Sequence, residues 1–187
     1  MELKQLYTDL ILEYNKDMSN KRKIECPTVH EHGHNPSCGD DIDIEVKIKD
    51  GVIEDLAYTG SGCAISQAST AMMAELLQGR TIPEALRLCR LFLDMIRGKV
   101  TEESELEELE AAITLKDISK MPVRVKCATL GWHTLEMALE KIRKRTHEVR
   151  ESPRPRSGAG AFCAEKEWKG KRFLILSSKL IIVLNLI

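Results

Sequence analysis

Three cysteines of this chain stand in glycine-rich or charged surroundings: Asn35-Pro36-Ser37-Cys38-Gly39-Asp40, Gly60-Ser61-Gly62-Cys63 and Arg124-Val125-Lys126-Cys127. A thiolate at a helix start, or beside Arg or Lys, is stabilised as the anion, the form that binds metal ions and attacks sulfur. Cys63 and Cys127 meet that condition, because each is expected close to a helix N-terminus. Three thiolates and one carboxylate complete a tetrahedral zinc site, and Asp40 is the nearest candidate for the fourth ligand. Gly39 lets the chain turn so that Cys38 and Asp40 reach one ion, and it leaves Cys38 free to move away afterwards. The plainer alternative for Asp40 is a turn-forming or capping aspartate, and for the whole set a structural zinc module that only holds loops together.

Other chemistry-bearing residues read more plainly. Cys89 falls inside an apolar run and is expected to pack as a small hydrophobe, while Cys26 and Cys163 are not expected to be ligands. Met72, Met73 and Met95 read as core residues, and His133 as helix surface. His30, His32 and His34 are spaced by two, which on a strand puts all three on one face and invites a second metal site. The alternative for them is a polar edge before the Cys38 loop.

The elements that must position these residues follow from periodicity. Residues 3–15 read as an amphipathic opening helix, with Leu10, Ile11 and Tyr14 on its apolar stripe. Thr28 to Glu31 is a possible short strand, and Ile42, Ile44, Val46 and Ile48 alternate with charged residues as in a half-buried strand. Asp50-Gly51 signals a hairpin into a strand over 52–58, whose alternation is imperfect. A helix is predicted from about Ile65 to Gln78, ended by Gly79. Thr81-Ile82-Pro83-Glu84 is a capping box that opens another, ended by Gly98. Residues 101–110, with six glutamates, predict a solvated helix or an insertion at the surface. A last helix is expected to begin near Cys127 and run to Ile142. The fold class is therefore α+β, a small antiparallel sheet packed against helices.

At 187 residues the chain suits one domain, assigned to 1–142, plus a tail over 143–187 to which no domain is assigned. The tail holds 11 Lys+Arg against 4 Asp+Glu and ends in an apolar stretch, read as an extension or a membrane-contacting segment. No transmembrane span is expected, since the stretch is interrupted by Lys179 and shorter than the roughly 20 residues a helix needs to cross a bilayer. The remaining body carries a net charge of -8, which argues against nucleic acid as a partner. The opening residues contain no apolar signal region, so a cytoplasmic protein with reduced cysteines is expected, and metal or sulfur chemistry is preferred over a disulfide framework.

The segments NPSCGDD, GSGCAISQAS and RVKCATLGW resemble, in order, the three metal-site segments of the SufU branch of the IscU/NifU scaffold family. The resemblance spans roughly residues 1–142 and includes the acidic stretch between the second and third cysteines that typifies SufU. It implies metal ligands at Cys38, Asp40, Cys63 and Cys127, and makes Cys38 the acceptor of persulfide sulfur from a SufS-type, pyridoxal-phosphate-dependent cysteine desulfurase. It implies a desulfurase histidine that takes over a coordination position to release Cys38, a supporting role for Arg124, and a docking role for the acidic run. IscU proper has a histidine just before the third cysteine; Lys126 stands there, which favours zinc-dependent sulfur acceptance over stable cluster holding. Such a protein is a sulfurtransferase partner rather than a stand-alone enzyme. The alternative the resemblance keeps open is transient assembly of an iron-sulfur cluster on Cys38, Cys63 and Cys127, with other SUF assembly proteins and apo acceptors as further partners.

Overall fold

Ile42, Ile44 and Val46 alternate with Asp43, Glu45 and Lys47, and a period of two obliges this stretch to be a strand with one apolar and one charged face. In the computed structural model that strand, β2 (Asp40–Lys49), is the centre of an antiparallel meander between β1 (Val29–Asn35) and β3 (Val52–Ser61). The structure describes residues 3–151, 164–168, 171–176 and 180–183, with side-chain surroundings over 9–145. The strand expected over 28–31 is longer than its sequence signal, because Gly33 and the histidines carry little β preference and are held by pairing with β2.

Asp50 and Gly51, at φ 52° and 80°, close the β2–β3 hairpin with two left-handed residues, the conformation that an Asp-Gly pair favours. Ile48 pairs with Ile53 and Val46 with Leu56, so Glu54 is an extra residue on β3. That bulge explains the imperfect alternation: it brings Ile53 onto the buried face with Leu56 and Tyr58.

Helices cover the apolar face of the sheet. α1 (Leu3–Lys16) packs on α2 (Ala64–Leu77), which is buried along most of its length. α3 (Ile82–Ile96) is capped by Thr81, whose hydroxyl accepts from the Glu84 N–H at 3.4 Å, as the capping box predicts. Cys89 is fully buried within α3, and burial pushes its thiol pKa far up, as suits a core residue without chemistry. The acidic stretch forms a short helix, α4 (Glu103–Leu106), followed by a kinked 3-10 segment, Glu107–Lys120. Its glutamates are exposed as expected, but Leu106, Leu109, Leu115 and Ile118 are buried, so the stretch is anchored in the core. Arg87 clamps Glu108 with contacts of 3.1 and 2.5 Å, tying the acidic run to α3.

α5 (Pro122–Glu151) starts five residues before Cys127, earlier than its apolar pattern suggests, because Pro122 is well placed at a first helical position. The helix lies against α2 and α3 through Trp132. Its ring stacks on Phe92 at 3.9 Å between centroids, and its indole N–H donates to Ser69 Oγ at 3.0 Å. Ser69 Oγ in turn donates to the Ala128 carbonyl at 2.7 Å, so a buried polar chain sets the height of α5 one residue from Cys127. Trp132→Ala is expected to cost about 3–5 kcal/mol, read as a lowered urea midpoint, and to loosen Cys127 with it.

By internal contacts the chain divides into two compact units, Met1–His147 and Glu148–Ile187. The second contains three antiparallel strands, β4 (Ala164–Trp168), β5 (Lys171–Leu176) and β6 (Leu180–Val183). No helix among the described residues is long and apolar enough to cross a membrane. Cys163 lies outside the described residues. Cys38, Cys63, Cys89 and Cys127 are free thiols, and Cys26 is exposed on the loop before β1.

Candidate metal centre

Cys38 occupies the third position of the turn Pro36-Ser37-Cys38-Gly39 that joins the last β1–β2 pair, Asn35 with Asp40. Asn35 builds this turn. Its side-chain oxygen accepts from the Ser37 N–H at 3.1 Å, and its carbonyl accepts from the N–H groups of Cys38 and Gly39 at 3.3 and 2.9 Å. Gly39 takes φ +72°, the left-handed conformation that returns the chain into β2 and that a residue with a Cβ adopts at a cost. Cys38 is thereby exposed at the tip, with its Sγ 2.9 Å from Asp40 Oδ2.

Asp40 is 1% exposed, and its two oxygens are used differently. Oδ2 accepts from the Cys38 thiol, and Oδ1 accepts from the Cys63 N–H at 2.8 Å. Gly62 makes the second contact possible, since a Cβ there would lie 2.9 Å from Asp40 Oδ1. Burial pushes the Asp40 carboxyl up, but the hydrogen bonds from Cys38, the Cys63 N–H and Cys127 outweigh it and hold its pKa below the ordinary 3.8. The sign of the linkage follows. In the metal-free chain this group contributes stability that is fully present above 3.8 and is lost as pH falls through its lower folded value. Acid titration of the metal-free protein is therefore expected to show a stability loss below about pH 4 that is absent in Asp40→Asn, measured as urea midpoints against pH.

Cys63 is the N-cap of α2, where its Sγ accepts from the Ser66 N–H at 3.4 Å, the helix-start setting its sequence predicts. Cys127 differs from expectation. It is the sixth residue of α5, its Sγ contacts the Val123 carbonyl at 3.8 Å, and the helix-end field has faded beyond the first turn. Burial, followed by contacts with Cys38, Asp40 and Cys63, pushes its thiol pKa up, which disfavours the thiolate in the metal-free chain.

One ligand atom each from Cys38, Asp40 and Cys127 lies within 4.8 Å of the other two. Cys63 stands beside this group, joined through its N–H to Asp40 and through its sulfur to Cys127. The structure thus brings together all four residues singled out in the sequence, three tightly and one at the edge. Arg124 is exposed on the first turn of α5 and makes no ion pair among the described residues. Lys126 reaches the Cys38 turn instead, with its Nζ 3.4 Å from Ser37 Oγ. That contact, between residues 89 apart in sequence, has no local signal; nor do the unpartnered buried atoms Asn35 Nδ2, Ser66 Oγ and the Gln67 amide, all on segments that carry the ligands.

A three-stranded meander under helices, with thiols and a carboxylate converging where a hairpin tip meets two helices, defines an α+β domain with a thiol-carboxylate cluster able to hold a metal ion. The NifU-like N-terminal domain model matches residues 6–149, and the chain belongs to that family. Among its relatives, an iron-sulfur cluster assembly scaffold protein IscU of Thermotoga maritima is 39% identical over 76% of this chain and 98% of its own length. A zinc-dependent sulfurtransferase SufU of Bacillus subtilis is 38% identical over 74% of this chain and 92% of its own. A crystal structure from Fervidobacterium islandicum, described as a candidate cluster assembly scaffold for the SUF system, superposes with a TM-score of 0.67 at 38% identity, covering 72% of this chain and 97% of that one. The expected fold class and the SufU/IscU resemblance are both borne out by these matches.

Proposed function

We propose that this chain accepts persulfide sulfur on Cys38 from a pyridoxal-phosphate cysteine desulfurase in the cytoplasm, as a step in iron-sulfur cluster assembly, with residues 1–142 as the working unit. The observation that carries the reading is an asymmetry within the ligand set: Asp40 and Cys127 are buried, and of the two exposed cysteines Cys63 is fixed as the N-cap of α2 whereas Cys38 sits on a turn hinged by Gly39. A sulfur acceptor must reach a partner's active site, and the groups that hold it must stay behind.

The donor set fits zinc. Thiolate sulfur with one carboxylate matches the preferences of that ion, and the donors already converge without rearrangement of the strands. Cys38, Asp40, Cys63 and Cys127 would hold it. When bound, zinc favours the thiolate form of its cysteines at neutral pH.

The chain's own residues do the rest. As a thiol Cys38 is oriented by its 2.9 Å hydrogen bond to Asp40; its proton is given up to solvent before transfer, and Lys126, held at the turn by Ser37, places a positive charge near the resulting thiolate. The Cys38 thiolate attacks the terminal sulfur of the donor persulfide. A new S–S bond forms on Cys38, the donor's S–S bond breaks, and the electron pair leaves on the donor cysteine as its thiolate. Arg124, exposed on the same helix turn, is assigned a supporting role at the docking surface. Steady-state alanine production by a SUF-type desulfurase tests the reading: the zinc-loaded chain is expected to raise turnover, and an unchanged rate overturns it.

A second reading, a cluster carried as cargo on Cys38, Cys63 and Cys127, is favoured by the relatives named as scaffolds. Anaerobic reconstitution separates the two. A chromophore that activates an apo acceptor supports the scaffold, and tightly held zinc with neither activity leaves a structural module.

A further inference from the structure

The outer face of the sheet, opposite the helices, carries a second set of metal-ligating side chains. His30, His32 and His34 share that face of β1, and the register sets His32 across from Asp43 and His34 across from Asp41. The donors interleave. His30 Nε2 lies 2.9 Å from Asp43 Oδ1, and His32 Nδ1 lies 3.2 Å from the same oxygen. His32 Nε2 lies 3.6 Å from Asp41 Oδ2, and His34 Nδ1 lies 3.4 Å from that oxygen. His32, Asp41 and Asp43 each offer an atom within 4.8 Å of the other two.

Three features distinguish this strip from a solvated row of polar residues. Two donors bound at 2.0–2.1 Å to one tetrahedral ion are about 3.3 Å apart, and around Asp43 Oδ1 the separations to His30 Nε2 and His32 Nδ1, 2.9 and 3.2 Å and bridged by hydrogen bonds in the metal-free chain, lie near that value. Among the described residues no lysine or arginine forms an ion pair with Asp41 or Asp43, so neither carboxylate is already neutralised by a fixed cation. The five side chains are 33–52% exposed, which lets a hydrated ion enter without unfolding a strand.

We propose that this strip is a second metal site, taking one divalent cation of the imidazole-preferring zinc, nickel and cobalt class. His32, Asp41 and Asp43 form its core, and His30 or His34 completes it with water. It is independent of the thiolate centre, because alternation along β2 turns Asp41 to the face opposite the buried Asp40. Only the histidine half is legible as a ligand row in the sequence; the aspartates join it through strand register.

Cobalt(II) titration of the metal-stripped full chain under anaerobic conditions tests the site, since thiolate coordination gives an intense sulfur-to-cobalt charge-transfer band and nitrogen-oxygen coordination does not. Wild type is expected to bind two equivalents, one with that band and one without. His32→Ala and the nearly isosteric Asp43→Asn are each expected to weaken the second equivalent by about tenfold or more while leaving the band unchanged. A single equivalent in wild type, or a second one unaffected by both substitutions, overturns the proposal.

Discussion

Cys38→Ser is expected to abolish sulfur acceptance and desulfurase stimulation while leaving the domain folded. A hydroxyl remains protonated at neutral pH and is no nucleophile toward a persulfide, so loss to background is expected rather than a partial decrease. The side chain sits on an exposed turn and touches little besides Asp40, the Asn35 carbonyl and Cys127, and serine keeps the hydrogen bond to Asp40 Oδ2. In the metal-free chain the stability change should fall within about 0.5 kcal/mol. Cys89→Ser is the control: it burdens the core with a buried hydroxyl, yet sulfur transfer per folded molecule should be retained, because Cys89 is fully buried in α3. Loss of transfer in both variants, or in neither, would contradict the assignment of Cys38. The readout is alanine production with and without the chain.

Asp40→Ala is expected to have the largest effect on metal retention. Structural zinc binding of about 10–16 kcal/mol shared over four ligands is roughly 2.5–4 kcal/mol each, so losing the carboxylate should weaken zinc by about 10²–10³-fold. The metal-free fold also suffers, since the Cys63 N–H loses its charged acceptor at 2.8 Å; a hydrogen bond to a charged group contributes about 1.5–3 kcal/mol. Asp40→Asn separates the two effects. Its amide oxygen can still accept from the Cys63 N–H, so most of the fold stability should return while zinc affinity stays low. Chelator competition measures the affinity and urea unfolding the stability. Zinc affinity within threefold of wild type in Asp40→Ala would remove Asp40 from the ligand set and favour its reading as a turn residue.

Local patterns made much of the fold legible. The period of two in Ile42-Asp43-Ile44-Glu45-Val46, the Asp50-Gly51 pair and the Thr81 capping box each determine a structure within a few residues, and each is found where its pattern puts it. Features that depend on distant partners were not legible. The Glu54 bulge exists because β3 must satisfy two partners, β2 and the core, and it shows in the sequence only as spoiled alternation. The early start of α5 displaces Cys127 from the helix end, so reasoning from helix-start electrostatics fails there and holds for Cys63. The acidic run reads as surface because its glutamates outnumber its leucines, although Leu106 and Leu109 fix it to the core.

The centre divides along the same line. Cys38, Gly39 and Asp40 are adjacent, so the turn and its hydrogen bond can be inferred from three letters. The contacts of Asp40 with the Cys63 N–H, of Gly62 with Asp40, and of Lys126 with Ser37 span 22 to 89 residues and appear only once the sheet and α5 are assembled. Arg124 was assigned by family resemblance and stays a proposal at the docking surface.

Peptide mass spectrometry of the full chain, after brief incubation with a cysteine desulfurase and free cysteine, tests the central claim most directly. A mass increase of about 32 Da, one sulfur atom, is expected on the peptide that contains Cys38. The same increase on Cys63, Cys89 or Cys127 in place of Cys38, or no increase while the desulfurase itself carries persulfide, would contradict it.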